Sequence, residues 1–168
     1  SIFMEDFVLQ KLLQGADDET RLSLLMHKLQ DDIASVFKQI AGYRFEQELH
    51  STFREEGYLS YETIGVLFQK HMQMFMGPAV EQSPGSQNWW IFWRHIRFFF
   101  YIYAYANGLL IAKFLQKRVK EDPSFINHVK QFLATGYADS PQNMFANLGI
   151  DITDATFWDM GIDEIETL

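Results

Sequence analysis

The stretch that decides the fold is "WRHIRFFFYIYAYANG", residues 93–108. From Phe98 to Ala112 it carries no charge and no histidine, but Arg94, His95 and Arg97 close one end and Lys113 the other. A membrane-spanning helix needs about 20 predominantly apolar residues, and this run is shorter. The pattern reads as a long helix from about Asn88 to Lys120, buried on most sides. Its tyrosines qualify that reading. A buried hydroxyl needs a hydrogen-bond partner, so several polar tips on one face suit a cleft better than a closed core. Tyr101 and Tyr105 are four apart and share a helix face, and His95 lies ten before Tyr105.

The flanking chain is helical in period almost throughout. The first residues, "SIFMEDFVLQKLLQ", read as the middle of an amphipathic helix with Ile2, Phe3, Val8, Leu9, Leu12 and Leu13 on or near one stripe. It ends near Gly15, and Asp17 or Asp18 caps the next. A long pattern runs from about Glu19 to Glu56, with Gly42 as a possible bend and Gly57 as its stop. Ser60 caps a further helix that ends at Gly77-Pro78. The dozen residues around "GPAVEQSPGSQN" form the longest loop, a length that is often functional. Asp122-Pro123 and Ser140-Pro141 each signal a helix start, ending at Gly136 and Gly149. The tail from Asp151 reads as one or two short helical turns. No strand pair and no repeat stands out. The expected fold is all-α and bundle-like, one domain over residues 1–168.

Composition narrows the function. The chain has 168 residues, 48% hydrophobic and 16% aromatic, with a net charge of -8. That balance argues against nucleic acid and against a polybasic membrane anchor, both of which need a basic surface. There is no cysteine, so no disulfide framework and no thiolate site; a reducing, cytoplasmic setting is permitted. The first residues lack the basic and small-residue signals of a signal peptide. A chain opening inside a helix, without a cap, is expected to be part of something larger.

Self-contained metal chemistry finds little support. There is no HExxH and no ExxH pair. Glu46 and His50 stand at i and i+4 in "FEQELH", but the pair reads as a solvated helix surface. His27, His71 and His128 stand alone, and "DITD" lacks the glycine spacing of a calcium loop. The methionines of "HMQMFM" read as core filler.

Three segments in order resemble a known family. "SIFMEDFVLQKLL" resembles the segment that follows the metal-binding helices of oligoendopeptidase F-type zinc peptidases. "WRHIRFFFYIYAYANG" resembles their aromatic segment, with His95, Phe100, Tyr101, Tyr103, Tyr105, Ala106 and Gly108 on matching positions. "FLATGYADSPQNMFANLGID" resembles their C-terminal ending at Gly136, Pro141, Gly149 and Asp151. Phe98, Ala104 and Asn107 depart from the pattern, and Phe98, where the family has Tyr, leaves fewer hydroxyls at the site. The resemblance implies the C-terminal part of a zincin peptidase that hydrolyses short peptides. Glu5 then matches a family Glu, and the third zinc-ligand Glu would lie upstream of Ser1. Zinc is thus expected in the full-length enzyme and none in this segment, which would be inactive alone. The resemblance also implies that His95 and Tyr105, with Tyr101 as a second candidate, donate to the oxyanion of the reaction, and that Tyr103 contacts substrate. The expected partner is an oligopeptide. Deprived of the rest of the enzyme, the segment is expected to self-associate, most simply as a dimer. A helical peptide-binding or scaffold module without catalysis is the alternative reading.

Overall fold

A computed structural model describes residues 2–167, and among them there is helix and no strand. Helix α1 is Ile2–Leu13, α2 is Asp18–Ile33, α3 is Gln39–Glu56 and α4 is Tyr61–Met76. Short 3-10 turns, Ser86–Ile91 and Arg94–Phe98, precede α5, Tyr103–Glu121. Helices α6, Ile126–Thr135, α7, Pro141–Ala146, and α8, Ala155–Glu166, complete the chain. The start signals act as expected: the Ser60 and Ser140 hydroxyls accept from the Thr63 and Asn143 amides. The Asp17 and Asp122 carboxylates likewise accept from Thr20 and Ser124.

Three expectations need correction. The continuous helix from Asn88 to Lys120 is instead two 3-10 turns and α5, interrupted at Phe99 and Phe100, which have φ of 49° and 62°. No glycine or proline marks that break. The long pattern from Glu19 is interrupted at a π-helical segment, Ala34–Lys38, and not at Gly42. Gly42 is instead a contact point: a Cβ there would lie 2.7 Å from Cη2 of Trp93. The tail is not one or two turns but the full helix α8. Asp154 caps it, and its Gly161 is buried and lies so close to Leu110 that a Cβ would meet the Leu110 carbonyl oxygen at 2.8 Å.

The chain divides into two compact units, residues 1–29 with 108–168 and residues 30–107. The first has a core of Phe114, Leu115, Phe125, Val129, Phe145, Ile150 and Phe157. The apolar stripe expected on α1 is buried only in part: Phe3 packs against this core and Ile2, Leu9 and Leu13 are partly buried, but Val8 and Leu12 are more than half exposed, and the buried residue of the helix is Asp6. The Lys113 ammonium, itself 1% exposed, bonds the Asp6 carboxylate at 2.7 Å, and Lys28 approaches the same carboxylate at 3.4 Å. Gln116 donates to the Phe3 carbonyl at 2.8 Å. Charge pairing and amide bonding thus seat α1 on α5, because an unpaired charge there would bear the full cost of leaving water.

The second unit packs α3 against α4 over Ala41, Phe45, Phe68 and Met72, with Trp90 and Ile96 of the 3-10 turns, and Trp93 between those turns, against them. At its edge the Glu48 carboxylate takes Lys70 at 2.7 Å and the nearly buried His71 at 2.5 Å. Of the "HMQMFM" methionines only Met72 is core; Met74 is 63% exposed.

Gly161→Ala should destabilise the protein by about 1–3 kcal/mol, the usual cost of forcing a methyl into a filled site. The obstacle is backbone, which cannot step aside as a side-chain tip can. Gly15→Ala, with nothing within 4 Å of the added methyl, serves as the tolerated control. Urea midpoints for the two variants compare them directly.

Candidate functional site

The aromatic stretch builds its site out of the helix break. Arg94–Phe98 is one 3-10 turn, and His95 projects from it. Phe99 and Phe100 then take left-handed backbone conformations, uncommon for residues with a Cβ. Helix α5 starts three residues later and carries Tyr105 in its first turn. The Tyr105 hydroxyl and His95 Nε2 lie 2.6 Å apart in a hydrogen bond. The Tyr101 ring stacks nearly parallel to the imidazole, 6.1 Å away and tilted by 19°. It also meets Tyr105 edge-on at 6.0 Å. The structure therefore brings His95, Tyr101 and Tyr105 together. The reason differs from the one expected: Tyr101 precedes α5, so proximity comes from the break and not from helical spacing.

Tyr103 stands apart from the trio. Its ring meets Tyr43 of α3 edge-on at 6.0 Å, and it is half exposed. Tyr101 and Tyr105 are 49% and 37% exposed, so their polar tips can reach a ligand.

The hydrogen bond has two proton arrangements with different chemistry. With Nε2 unprotonated, the tyrosine O–H donates to the ring and is used up. With a proton on Nε2, the ring donates to the tyrosine oxygen, and the tyrosine O–H is free to donate outward. The second arrangement makes Tyr105 a polarised donor with its own proton presented to whatever approaches.

Beneath the break lies a residue whose sequence reading needs correction. The Glu46–His50 face is not solvated. Glu46 is fully buried, and its Oε1 accepts the Phe100 amide at 3.0 Å. The His50 ring packs on Phe100 at 5.0 Å. Periodicity places Glu46 on α3 but carries no sign of a partner 54 residues away. Among the described residues no three His, Cys, Asp or Glu side chains gather as a metal site, and no helix is long and apolar enough to cross a membrane.

The loop expected to be functional borders a different feature. Val80, Glu81 and Ser83 line a cleft of about 550 Å³ with Phe68, Met72 and Trp93. Lys38 stands at the same cleft, its ammonium 5.4 Å from the Trp93 ring. His95, Tyr101 and Tyr105 are not among its lining residues.

Burial pushes the Glu46 carboxyl above the ordinary glutamate range, against the Phe100 amide and the His50 charge, which favour ionisation. A raised folded-state pKa means that the folded protein binds the proton more tightly than the unfolded chain. The associated stability is present below the unfolded value and is lost as pH rises through the folded one. Glu46→Gln, which imitates the protonated acid, should therefore be close to neutral in acid and stabilising at neutral pH. Urea midpoints at the two pH values check this; a difference that grew as pH fell would reverse the sign.

Residues 1–164 match the sequence model of peptidase family M3. Group B oligopeptidase PepB of Streptococcus agalactiae is 26% identical over 161 residues, covering 92% of this chain and 26% of that protein. Oligoendopeptidase F, plasmid, of Lactococcus lactis subsp. cremoris is 26% identical over 164 residues, covering 96% and 27%. The crystal structure of oligoendopeptidase-F from Enterococcus faecium has a TM-score of 0.81 to this fold at 25% identity, over 99% of this chain and 33% of that one. The chain thus spans between a quarter and a third of the length of these proteins. Matched along nearly its whole length in sequence and fold alike, the chain belongs to peptidase family M3.

Proposed function

We propose that the whole protein is a zinc-dependent endopeptidase of short peptides and that this chain supplies the donor wall facing the scissile carbonyl. The observation that carries this is the 2.6 Å bond between the Tyr105 hydroxyl and His95 Nε2 on an accessible face, with Tyr101 stacked on the same imidazole. The zinc of such an enzyme supplies an activated water, and the described residues do not form a site for it. What they supply is hydrogen bonding. When water adds to a peptide carbonyl, the oxygen changes from a weak acceptor to an oxyanion. A donor aimed at that oxygen binds the transition state better than the substrate.

His95 and Tyr105 are suited to act as one unit. A proton on Nε2 is donated to the phenol oxygen, which polarises the outward O–H toward the oxyanion. Tyr101 lies nearly parallel to the imidazole at 6.1 Å and stands as a second donor. Tyr103, half exposed against Tyr43, is placed on this reading to touch substrate rather than the reacting oxygen. The partner is an oligopeptide. This segment alone lacks the rest of the machinery and is expected to be inactive.

In the full-length protein, Tyr105→Phe should lower kcat by about 10²–10³, the usual cost of one oxyanion donor. Apparent KM should change little, because the lost interaction belongs to the transition state. Steady-state kinetics on a short peptide read both. If turnover stays at the parental value and only affinity falls, Tyr105 is a substrate contact.

The 168-residue chain is expected to retain no stoichiometric zinc. Elemental analysis after dialysis gives the count, and one tightly held zinc per chain would overturn the assignment of its ligands to other parts of the protein.

A further inference from the structure

Glu46 has no assigned role, yet it occupies an unusual position. It is 0% exposed on α3, Oε1 accepts the Phe100 amide at 3.0 Å, and Oε2 has no hydrogen-bond partner. A buried carboxyl that served packing alone would be better replaced by an apolar side chain of its size. Its one polar contact is thus the feature to explain. That contact falls on the second of two consecutive residues held at positive φ, Phe99 at 49° and Phe100 at 62°. Non-glycine residues persist in such conformations only where the surroundings hold them. Phe99 cannot be held by burial, since it is 77% exposed. Phe100 is held by its amide on Glu46 and by its ring against His50 at 5.0 Å and Tyr43 at 6.0 Å.

The break joins the turn that carries His95 to the helix that carries Tyr105. Its two dihedral pairs therefore set where one side chain lies relative to the other. We propose that Glu46 is a positioning residue: by accepting the Phe100 amide it holds the left-handed break and so fixes the His95–Tyr105 contact. The consequence for turnover rests on the donor reading of His95 and Tyr105; the geometric claim stands without it.

Two variants of similar volume separate the acceptor from the space it fills. Glu46→Gln keeps a carbonyl for the Phe100 amide, and Glu46→Met keeps bulk without an acceptor. The first readout is the ring-to-ring NOE between His95 and Tyr105 in the 168-residue chain. It should survive in Glu46→Gln and weaken several-fold in Glu46→Met, with helical ellipticity unchanged in both. The second is peptide hydrolysis by the full-length protein. Glu46→Met should lose about 10²-fold in kcat, the scale of an ångström-sized misplacement, with KM largely kept. Glu46→Gln should restore most of that loss. An undiminished NOE in Glu46→Met overturns the proposal, as does equal loss in both variants, because the acceptor would then not be what matters. Global unfolding of Glu46→Met overturns it as well, by making Glu46 a residue that holds the fold. Parental turnover in Tyr105→Phe would defeat the donor reading and leave the NOE result untouched.

Discussion

A helix consumes its own amides and carbonyls, so an all-α chain meets its hardest constraint where a helix stops. Here that point is Phe100. Its amide lies in a stretch with no continuous helix to receive it and is met by the carboxyl of Glu46, from a helix far away in sequence. Around that bond the second unit arranges Tyr43, His50 and Phe100 as interlocking rings. His95 precedes the break in sequence, and Tyr101 and Tyr105 follow it. The polar chemistry of the unit thus comprises a buried acceptor, a left-handed backbone break and an accessible phenol–imidazole pair.

The first unit meets the same requirement with charge. Asp6 leaves water only because Lys113 and Lys28 accompany it. Such a group is strong against disruption and weak as a source of stability. Removing one partner strands the other at a cost of about 3–5 kcal/mol, whereas replacing the group with apolar side chains is often neutral or favourable. It also accounts for a helix, α1, whose apolar residues are at most partly buried while its aspartate lies inside. What seats this helix is direction-dependent: one carboxylate, and two carbonyls that receive the Gln116 amide.

The two sides of the Tyr105–His95 bond have unequal roles. The imidazole is half-buried and bordered by Phe98 and Tyr101. The phenol reaches outward from the first turn of α5 and is partly exposed. On the proposed reading, a base held by ring contacts under a donor suits preorganised hydrogen bonding, because a donor that must reorient during the reaction loses much of its advantage. The cleft between α4 and the Val80–Ser83 loop is of another character, lined by methionine, phenylalanine and tryptophan with Lys38 and Glu81 among its polar residues.

Much of the chain was legible from local chemistry. Ser60, Ser140, Asp17 and Asp122 cap helices because a short oxygen-bearing side chain satisfies a free amide within its own turn, which needs no knowledge of the rest. Helical period likewise reports α1, α4, α6 and α7, and it runs through α2, α3 and α5 without showing where they break, since it reflects the backbone's own repeat. The order of aromatic residues around His95 pointed to the trio through its resemblance to a family. Hidden from the sequence were features fixed by a distant partner. Glu46 and Lys113 both read as ordinary charged helix positions, and only packing puts them inside. The break at Phe99 and Phe100 has no glycine or proline to announce it, since an amide bond to α3 and ring contacts hold it. Helix α8 was underestimated because Gly161 weakens its local signal, and the reason for that glycine is the Leu110 backbone pressed against it. Local propensity determined where helices begin. Which side chains leave water, and where a helix must give way, was decided by tertiary contacts, because desolvation and steric exclusion depend on neighbours that sequence distance does not reveal.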